Sequence, residues 1–334
     1  MTRLAMLLLC LAASPAMADA ACFPATDPVV SLGYPSRYTD ASKTRSDFDA
    51  AGNAAVTAAL KPIDDFISDL ARISNAAQTD TGDAATLAAD CVLDHLAAWA
   101  AADALSDLQT ETAQMSVPSR VGGMAFAYAN ALPFATDDPA RRAVIDGWLR
   151  ARALQTIAFF DAYAPPRVNR NNLRAWAALA VARIGLTLDD PRLIGWADIS
   201  TRLVICTVGG DGNLPMEMQR GDLALHYQIH AVGPLVMTAA LLQERGSDLF
   251  SSCDRAIPRA VSFTLRALED PTLVAAHAGE EQSFSKGSEK LDAFEIAWAQ
   301  AYLTFVDDPA VAALAAKYET LSNSKFGGDQ SLLW

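Results

Sequence analysis

The chain has 334 residues, 51% of them hydrophobic, and its 39 acidic residues outnumber its 26 basic residues to give a formal net charge of −13. This balance argues against nucleic acid as a partner, because phosphate backbones attract proteins with a basic face. If the ligand is itself a polyanion, its attraction must come from a local basic cleft.

The first 20 residues have the layout of a secretory signal peptide. Arg3 precedes the apolar run "LAMLLLCLAA", and small residues occupy alternate positions from Ala16 to Ala20. The run is too short to stay in a bilayer as an anchor. We therefore predict that residues 1–20 are removed, that residues 21–334 form one domain without a membrane anchor, and that the product is periplasmic or secreted.

Four cysteines remain after the predicted signal peptide: Cys22, Cys91, Cys206 and Cys253. An even count in an exported protein favours disulfides, and four cysteines allow three pairings. The pairing that we predict is Cys22–Cys91 and Cys206–Cys253. The alternative is that one of these pairs consists of buried thiols.

Alanine-rich segments with apolar residues every three or four positions fill most of the remaining chain. Examples are "FDAAGNAAVTAALKPIDDFISDLARIS", "AATLAADCVLDHLAAWAAADAL" and "DPARRAVIDGWLRARALQTIAFFDAYA". Such spacing is typical of amphipathic helices, and breakers such as "TDTGD", "TDDP" and "LDDP" separate them. The pattern predicts an all-α domain of about ten helices. A toroid of paired helices suits this length, whereas no fixed-period repeat supports a helical solenoid.

The segment "SLGYPSRYTDASKTRSDF" interrupts the helical pattern near the start of the chain. It is polar, it has no periodicity, and it carries the basic residues Arg37, Lys43 and Arg45. Two interpretations stay open, namely a loop that lies over a site and an ordinary exposed N-terminal arm.

Two adjacent asparagines, Asn171 and Asn172, stand at the start of the apolar helix "LRAWAALAVARIG". One asparagine is enough to cap a helix, because its side-chain oxygen accepts a hydrogen bond from the free N–H groups of the first turn. We therefore assign the cap to Asn171 and expect Asn172 to face a cleft. Trp176, one turn later, offers an aromatic surface on which a sugar ring can stack.

The segment "DGNLPMEMQRGDLALHYQIHAVGPL" holds a second group of polar side chains. Arg220 and Tyr227 are seven residues apart, so on a continuous helix they share one face. His230 lies roughly on that face, and His226 points about a quarter-turn aside. A group of this kind is more often a structural network than a site. Its concurrence with the asparagine pair and the basic loop favours a site for an acidic sugar.

The order of "SRYTDASKTR", "NNLRAW", "DGNLPMEMQRGDLALHY", "GEEQ" and "SNSKFGGD" resembles the bacterial alginate lyases that include the periplasmic poly(mannuronate) lyases. The resemblance runs from about Cys22 to about Asp329. It implies an incomplete (α/α) toroid of about ten or more helices with a deep cleft. It also implies cleavage of a uronate polymer by β-elimination without a metal or another cofactor, by a protein that we expect to be a monomer.

The resemblance also implies roles for individual residues. Asn172 resembles the asparagine that binds the uronate carboxylate, and Arg220 the arginine beside the reacting sugar. Tyr227 resembles the tyrosine that protonates the leaving oxygen and, in syn elimination from mannuronate, also acts as base. The predicted catalytic residues are therefore Tyr227, Arg220 and Asn172. The predicted substrate-binding residues are Arg37, Arg45, Trp176, His230 and Lys325.

The sequence departs from the family pattern at functional positions. Leu173 stands where the family has a catalytic histidine, His230 replaces an aromatic residue, and Arg120 is the nearest substitute for a missing "NHTG" stretch. In one interpretation, Tyr227 alone serves as acid and base, with His230 or His226 taking part of the lost function. In the other, the protein binds a uronate polysaccharide without turnover. A different polyuronate, such as one that contains glucuronate, also fits the altered subsites.

Overall fold

The computed structural model describes residues 22–334, so the predicted signal peptide lies outside the described residues. The chain is mainly helical, which confirms the all-α prediction. The helices are α1 (Ala50–Thr79), α2 (Asp83–Ala101), α3 (Glu111–Ser116), α4 (Pro118–Ala131), α5 (Pro139–Ala162), α6 (Asn172–Thr187), α7 (Pro191–Ile205), α8 (Ala224–Gln243), α9 (Ser252–Glu269), α10 (Thr272–Ala278), α11 (Ala299–Phe305) and α12 (Pro309–Ala315).

The breakers seen in the sequence are helix starts. Asp138, Asp190 and Asp308 cap α5, α7 and α12, and the side chain of each accepts hydrogen bonds from backbone N–H groups of the first turn. A proline follows each aspartate at the first helical position, where its missing N–H group has no cost. The same short segments therefore end one helix and begin the next.

The helices form an inner and an outer layer. The inner layer consists of α1, α4, α6 and α8, in which α4 packs on α1 and α6, and α6 packs on α8. In the outer layer, α2 covers α1, α5 packs on α2, α7 covers α6, and α9 covers α8. The close approach of α4 to α6 requires a glycine, since a Cβ atom on Gly122 would lie 3.2 Å from the Ala180 Cβ. Two curved helical layers around one core are the toroid that the sequence predicted.

Short strands attach the two ends of the described chain to the helices. β1 (Ser31–Leu32) pairs in parallel with β2 (Asp107–Leu108), and β3 (Ser322–Asn323) pairs antiparallel with β4 (Gly328–Asp329). β1 fixes the start of the polar segment 33–49, and β3 and β4 flank residues 324–327. The C-terminal segment thereby lies against α1, α4 and α8.

Both predicted disulfides are present, and the alternative of buried thiols is wrong. Cys22–Cys91 ties the start of the described chain to α2, and Cys206–Cys253 joins the end of α7 to the start of α9. His95 lies beside the first bridge, with its Nε2 atom 3.3 Å from the Cys22 Sγ atom. Among residues 22–334, no helix is both long enough and apolar enough to cross a bilayer.

Candidate active site

A cavity of about 350 Å³ opens between α1, α6, α8 and the C-terminal segment 323–326. Aromatic and ionisable side chains both line it, which is typical of sites that hold sugars. The lining side chains that the argument uses are Asp64, Trp176, His226, His230, Glu295 and Lys325.

Arg220 and Tyr227 are in direct contact, and the Tyr227 ring packs against His226 and His230, which line this cavity. The guanidinium carbon of Arg220 lies 3.5 Å from the centroid of the Tyr227 ring. The two residues do not share a continuous helix as the sequence predicted, because a 3-10 helix (Gly221–Leu223) separates Arg220 from α8. The shared face is therefore confined to Tyr227 and His230, whose ring centroids are 6.2 Å apart.

The polar segment 33–49 lies over this pair, which supports the interpretation as a loop that covers a site. Arg220 donates hydrogen bonds to the Thr44 backbone carbonyl at 3.1 Å and to the Arg45 carbonyl at 2.6 Å. The hydroxyl group of Tyr38 hydrogen-bonds to the hydroxyl group of Tyr227. Sequence reasoning singled out the basic residues of this segment and missed Tyr38, which is the side chain that contacts the site.

The environment of Tyr227 keeps its phenol protonated. Burial raises the pKa of Tyr227, the guanidinium of Arg220 opposes this shift, and Tyr38 adds to it. The net direction is upward from the ordinary value. A protonated phenol is an acid ready to donate, and it is a poor base.

The two asparagines have different partners; the cap predicted for Asn171 is present, whereas Asn172 is not among the side chains that line the cavity, and its contact with a substrate stays a prediction. The Asn171 side chain accepts a hydrogen bond from the Leu173 N–H group at 3.0 Å and caps α6. Asn172 is buried, and its backbone N–H and its Nδ2 group donate to the two carboxylate oxygens of Glu217 at 2.7 and 2.9 Å. Within the described chain the Oδ1 atom of Asn172 has no hydrogen-bond partner.

Glu217 is a functional candidate that the sequence analysis missed, although it lies in the most specific motif. Its carboxylate is buried, which raises its pKa to about 7, while the hydrogen bonds from Asn172 and the charges of Arg220 and His226 oppose the shift. One of the two hydrogen bonds comes from the Asn172 side chain and holds its amide group in place. The carboxylate therefore orients the predicted carboxylate-binding amide.

Leu173 lies in an apolar environment. It is half-buried and packs against a cluster that includes Phe159, Phe160 and Ala177. A leucine cannot transfer a proton or neutralise a carboxylate. The position where the family resemblance implies a histidine therefore contributes packing.

Basic side chains gather around the cavity. Arg120 forms a bidentate ion pair with the carboxylate of Asp64, with N–O distances of 2.9 and 3.0 Å. The guanidinium of Arg37 donates a hydrogen bond to the Thr57 hydroxyl at 3.1 Å. Lys325 lies 5.9 Å from the Trp176 ring, and burial followed by repulsion from Arg120 lowers its pKa to about 7. These cations are the candidates for the local attraction that an acidic protein needs to hold a polyanion.

The remaining predicted binding residues, Trp176, His230 and Arg45, differ in their burial and in their contacts. Trp176 is buried and stacks on Phe326 at 5.2 Å, with His230 on its other side at 5.2 Å. Burial and the nearby charges lower the pKa of His230 well below its ordinary value, so this imidazole is neutral. Arg45 is exposed, and its guanidinium donates to Ser36 at 3.3 Å, so a substrate contact by its side chain stays a prediction.

Comparisons with known proteins agree with this arrangement. The family model described as alginate lyase matches residues 35–273. The chain is 32% identical to a polysaccharide lyase of Stenotrophomonas maltophilia (strain K279a), over 99% of this chain and 95% of that protein. It is 28% identical to an alginate lyase of Pseudomonas syringae pv. syringae (strain B728a), over 92% of this chain and 80% of the relative.

Solved structures show the same fold. Alginate lyase A1-III from Sphingomonas species A1 superposes with a TM-score of 0.75 at 23% identity, covering 94% of this chain and 86% of that one. A Tyr-to-Phe variant of A1-III complexed with tetrasaccharide gives a TM-score of 0.77 at 24% identity, covering 96% and 88%.

The helical toroid, the cavity at one end of its inner helices and the agreement with these relatives define a polysaccharide lyase. The chain belongs to the alginate lyase family.

Proposed function

We propose that this lyase cleaves alginate, with a preference for mannuronate-rich chains, by β-elimination. Relatives named alginate lyase and the A1-III structure complexed with tetrasaccharide support this substrate class. The single observation that carries the chemistry is the contact between the protonated Tyr227 and the guanidinium of Arg220, beside His226 and His230, which line the cavity.

The reaction removes the proton at C5 of a uronate, and the adjacent carboxylate makes this step difficult because it is anionic. In this proposal Arg220 and the amide of Asn172 bind that carboxylate and stabilise the charge that builds up in the transition state. Tyr227 then gives its proton to the departing O4 atom. These side chains supply the positive charge and the proton, so we propose that no metal is required.

Mannuronate suits this site for a stereochemical reason. Its C5 proton and its O4 leaving group lie on the same face of the ring. The side chains of Tyr227 and His226 approach from one helix, α8, with ring centroids 4.9 Å apart. A site with its proton-transfer groups on one side favours syn elimination.

A second candidate is a protein that binds a uronate polymer without turnover, and the apolar surroundings of Leu173 favour it. Incubation of residues 21–334 with mannuronate-rich, guluronate-rich and glucuronate polymers separates the two. Ultraviolet absorbance of the unsaturated product on the mannuronate-rich polymer, and less on the others, supports the proposed lyase. Faster product formation from the glucuronate polymer contradicts the mannuronate preference. Binding with no absorbance on any polymer supports the second candidate.

The exported, anchor-free and monomeric state is part of the same proposal. The signal-like segment 1–20 supports export to the periplasm or the medium. Cell fractionation, N-terminal sequencing of the processed protein and its size in solution test these statements. Retention in the cytoplasm or a stable dimer would contradict them.

A further inference from the structure

A histidine–glutamate pair lies at the edge of the cavity. The Nδ1 atom of His226 is 3.2 Å from the Oε1 atom of Glu289. Glu289 also accepts a hydrogen bond from the Ser283 hydroxyl at 2.6 Å. The side chain of His226 is 34% exposed and lines the cavity, so one edge of its ring meets solvent or a ligand.

The partner on Nδ1 decides what the other ring nitrogen can do. Burial by itself raises the pKa of Glu289, but the hydrogen bonds from His226 and Ser283 lower it further, and the net direction is downward. The carboxylate therefore stays charged and accepts the Nδ1–H group of His226. In a neutral imidazole this leaves the lone pair on Nε2, at the opposite edge of the ring, free to accept a proton.

The neighbouring groups are less suited to take a proton. Tyr227 is protonated, and Glu217 is occupied by the two hydrogen bonds from Asn172. His230 packs against Trp176, and no carboxylate orients it among the described residues. His226 combines an orienting carboxylate, access to the cavity and contact with the Tyr227 ring, whose plane is at 82° to its own.

We propose that His226, oriented by Glu289, is the general base that takes the C5 proton, while Tyr227 is the acid; this assignment rests on the proposed lyase function. Nε2 of His226 accepts the C5 proton, and the electron pair of that C–H bond forms the C4–C5 double bond. The C4–O4 bond breaks, and O4 takes the hydroxyl proton of Tyr227. The positive charge of Arg220, whose guanidinium carbon lies 3.5 Å from the ring centroid, stabilises the resulting phenolate. The phenolate then regains its proton from the adjacent imidazolium, which restores the starting protonation states.

The test of His226 as a base is chemical rescue. His226→Ala is expected to lower kcat by about 10²- to 10⁴-fold, the usual contribution of a general base. Added imidazole, which can occupy the space left at the cavity edge, is expected to restore part of the rate. The matched control is His277→Ala, because His277 also pairs with a carboxylate, Asp211, at 2.8 Å and is similarly exposed, but does not line the cavity.

Glu289 acts through His226 and is a positioning residue. Glu289→Gln keeps the shape of the side chain and removes its charge, so kcat is expected to fall about 10- to 100-fold with KM unchanged. A purely structural role would lower the melting temperature or alter KM instead. The melting temperatures of all three variants are measured against wild type.

The outcomes separate this inference from the proposed function. A wild-type protein without activity on any uronate polymer overturns the proposed function. An active wild type whose His226→Ala variant keeps its kcat within about threefold, or loses kcat without rescue by imidazole, overturns only the role of His226. Rescue of His226→Ala together with unchanged His277→Ala supports it.

Discussion

The guanidinium carbon of Arg220 lies over the ring of Tyr227, 3.5 Å from its centroid, and the guanidinium donates hydrogen bonds to the backbone carbonyls of Thr44 and Arg45. Through Arg220, the polar segment 33–49 and the turn before α8 are both in contact with Tyr227, the proposed acid. It also places a permanent positive charge where a phenolate would form during elimination.

Arg220→Lys is expected to lower kcat/KM by about 10²- to 10³-fold, the cost of removing one preorganised charge-stabilising donor. A lysine ammonium cannot lie flat on the Tyr227 ring and donate to two carbonyls in the same plane. Steady-state kinetics on mannuronate-rich alginate measures the change. Arg72→Lys, at an exposed ion pair with Asp69 on α1, is the control and is expected to match wild type. Equal kcat/KM for both variants contradicts the role of Arg220.

Glu217 makes stability depend on pH. Its pKa is raised from 4.5 to about 7 in the folded protein, so its contribution is fully present below pH 4.5 and is lost as pH rises through 7. The loss is at most about 3.5 kcal/mol, from about 1.4 kcal/mol for each unit of the pKa difference. Glu217→Gln removes this pH-dependent contribution. The free energy of unfolding of the variant, relative to that of wild type, is therefore expected to rise between pH 5 and pH 8. Denaturant unfolding at both pH values checks this, and a constant difference contradicts it.

Lys325 is expected to make polymer binding depend on pH. Its pKa of about 7 means that it loses its charge as pH rises through neutrality, and an uncharged amine no longer attracts a carboxylate. Binding of mannuronate-rich polymer to the Tyr227→Phe variant is therefore expected to weaken from pH 6 to pH 8. Lys325→Arg keeps its charge over this range and is expected to flatten the dependence. An unchanged slope in the Lys325→Arg background would show that another group is responsible.

Leu173→His tests whether the residue at this position limits activity. The substitution places an imidazole among Phe159, Phe160 and Ala177 and is expected to cost about 1 kcal/mol of stability. Because His226 is proposed to supply the base, kcat is expected to stay within about threefold of wild type or to fall. A large gain in kcat would show instead that the natural protein lacks a base.

The all-α class and the cap by Asn171 could be predicted from the sequence, since they follow from local periodicity and capping chemistry. The two disulfides are one of the three pairings that four cysteines allow, so the cysteine count alone does not decide between them. The Tyr38–Tyr227 contact could not be predicted, because it depends on how a loop without periodicity crosses the start of α8, 189 residues later in the chain. The hydrogen bond from Asn172 to Glu217 likewise joins the start of a helix to a loop 45 residues away. The break between Arg220 and α8 could not be predicted either, because helical spacing does not reveal the 3-10 helix that begins at Gly221.

The central claim is that Tyr227 is the acid of a mannuronate-cleaving elimination. The measurement that tests it most directly is the rate at which ultraviolet absorbance of the unsaturated product appears from mannuronate-rich alginate, for wild type and Tyr227→Phe at equal polymer occupancy. The account predicts steady product formation by wild type and a rate about 10²- to 10⁴-fold lower for Tyr227→Phe, with polymer binding retained. Product formation by Tyr227→Phe at the wild-type rate, or none by either protein, would contradict it.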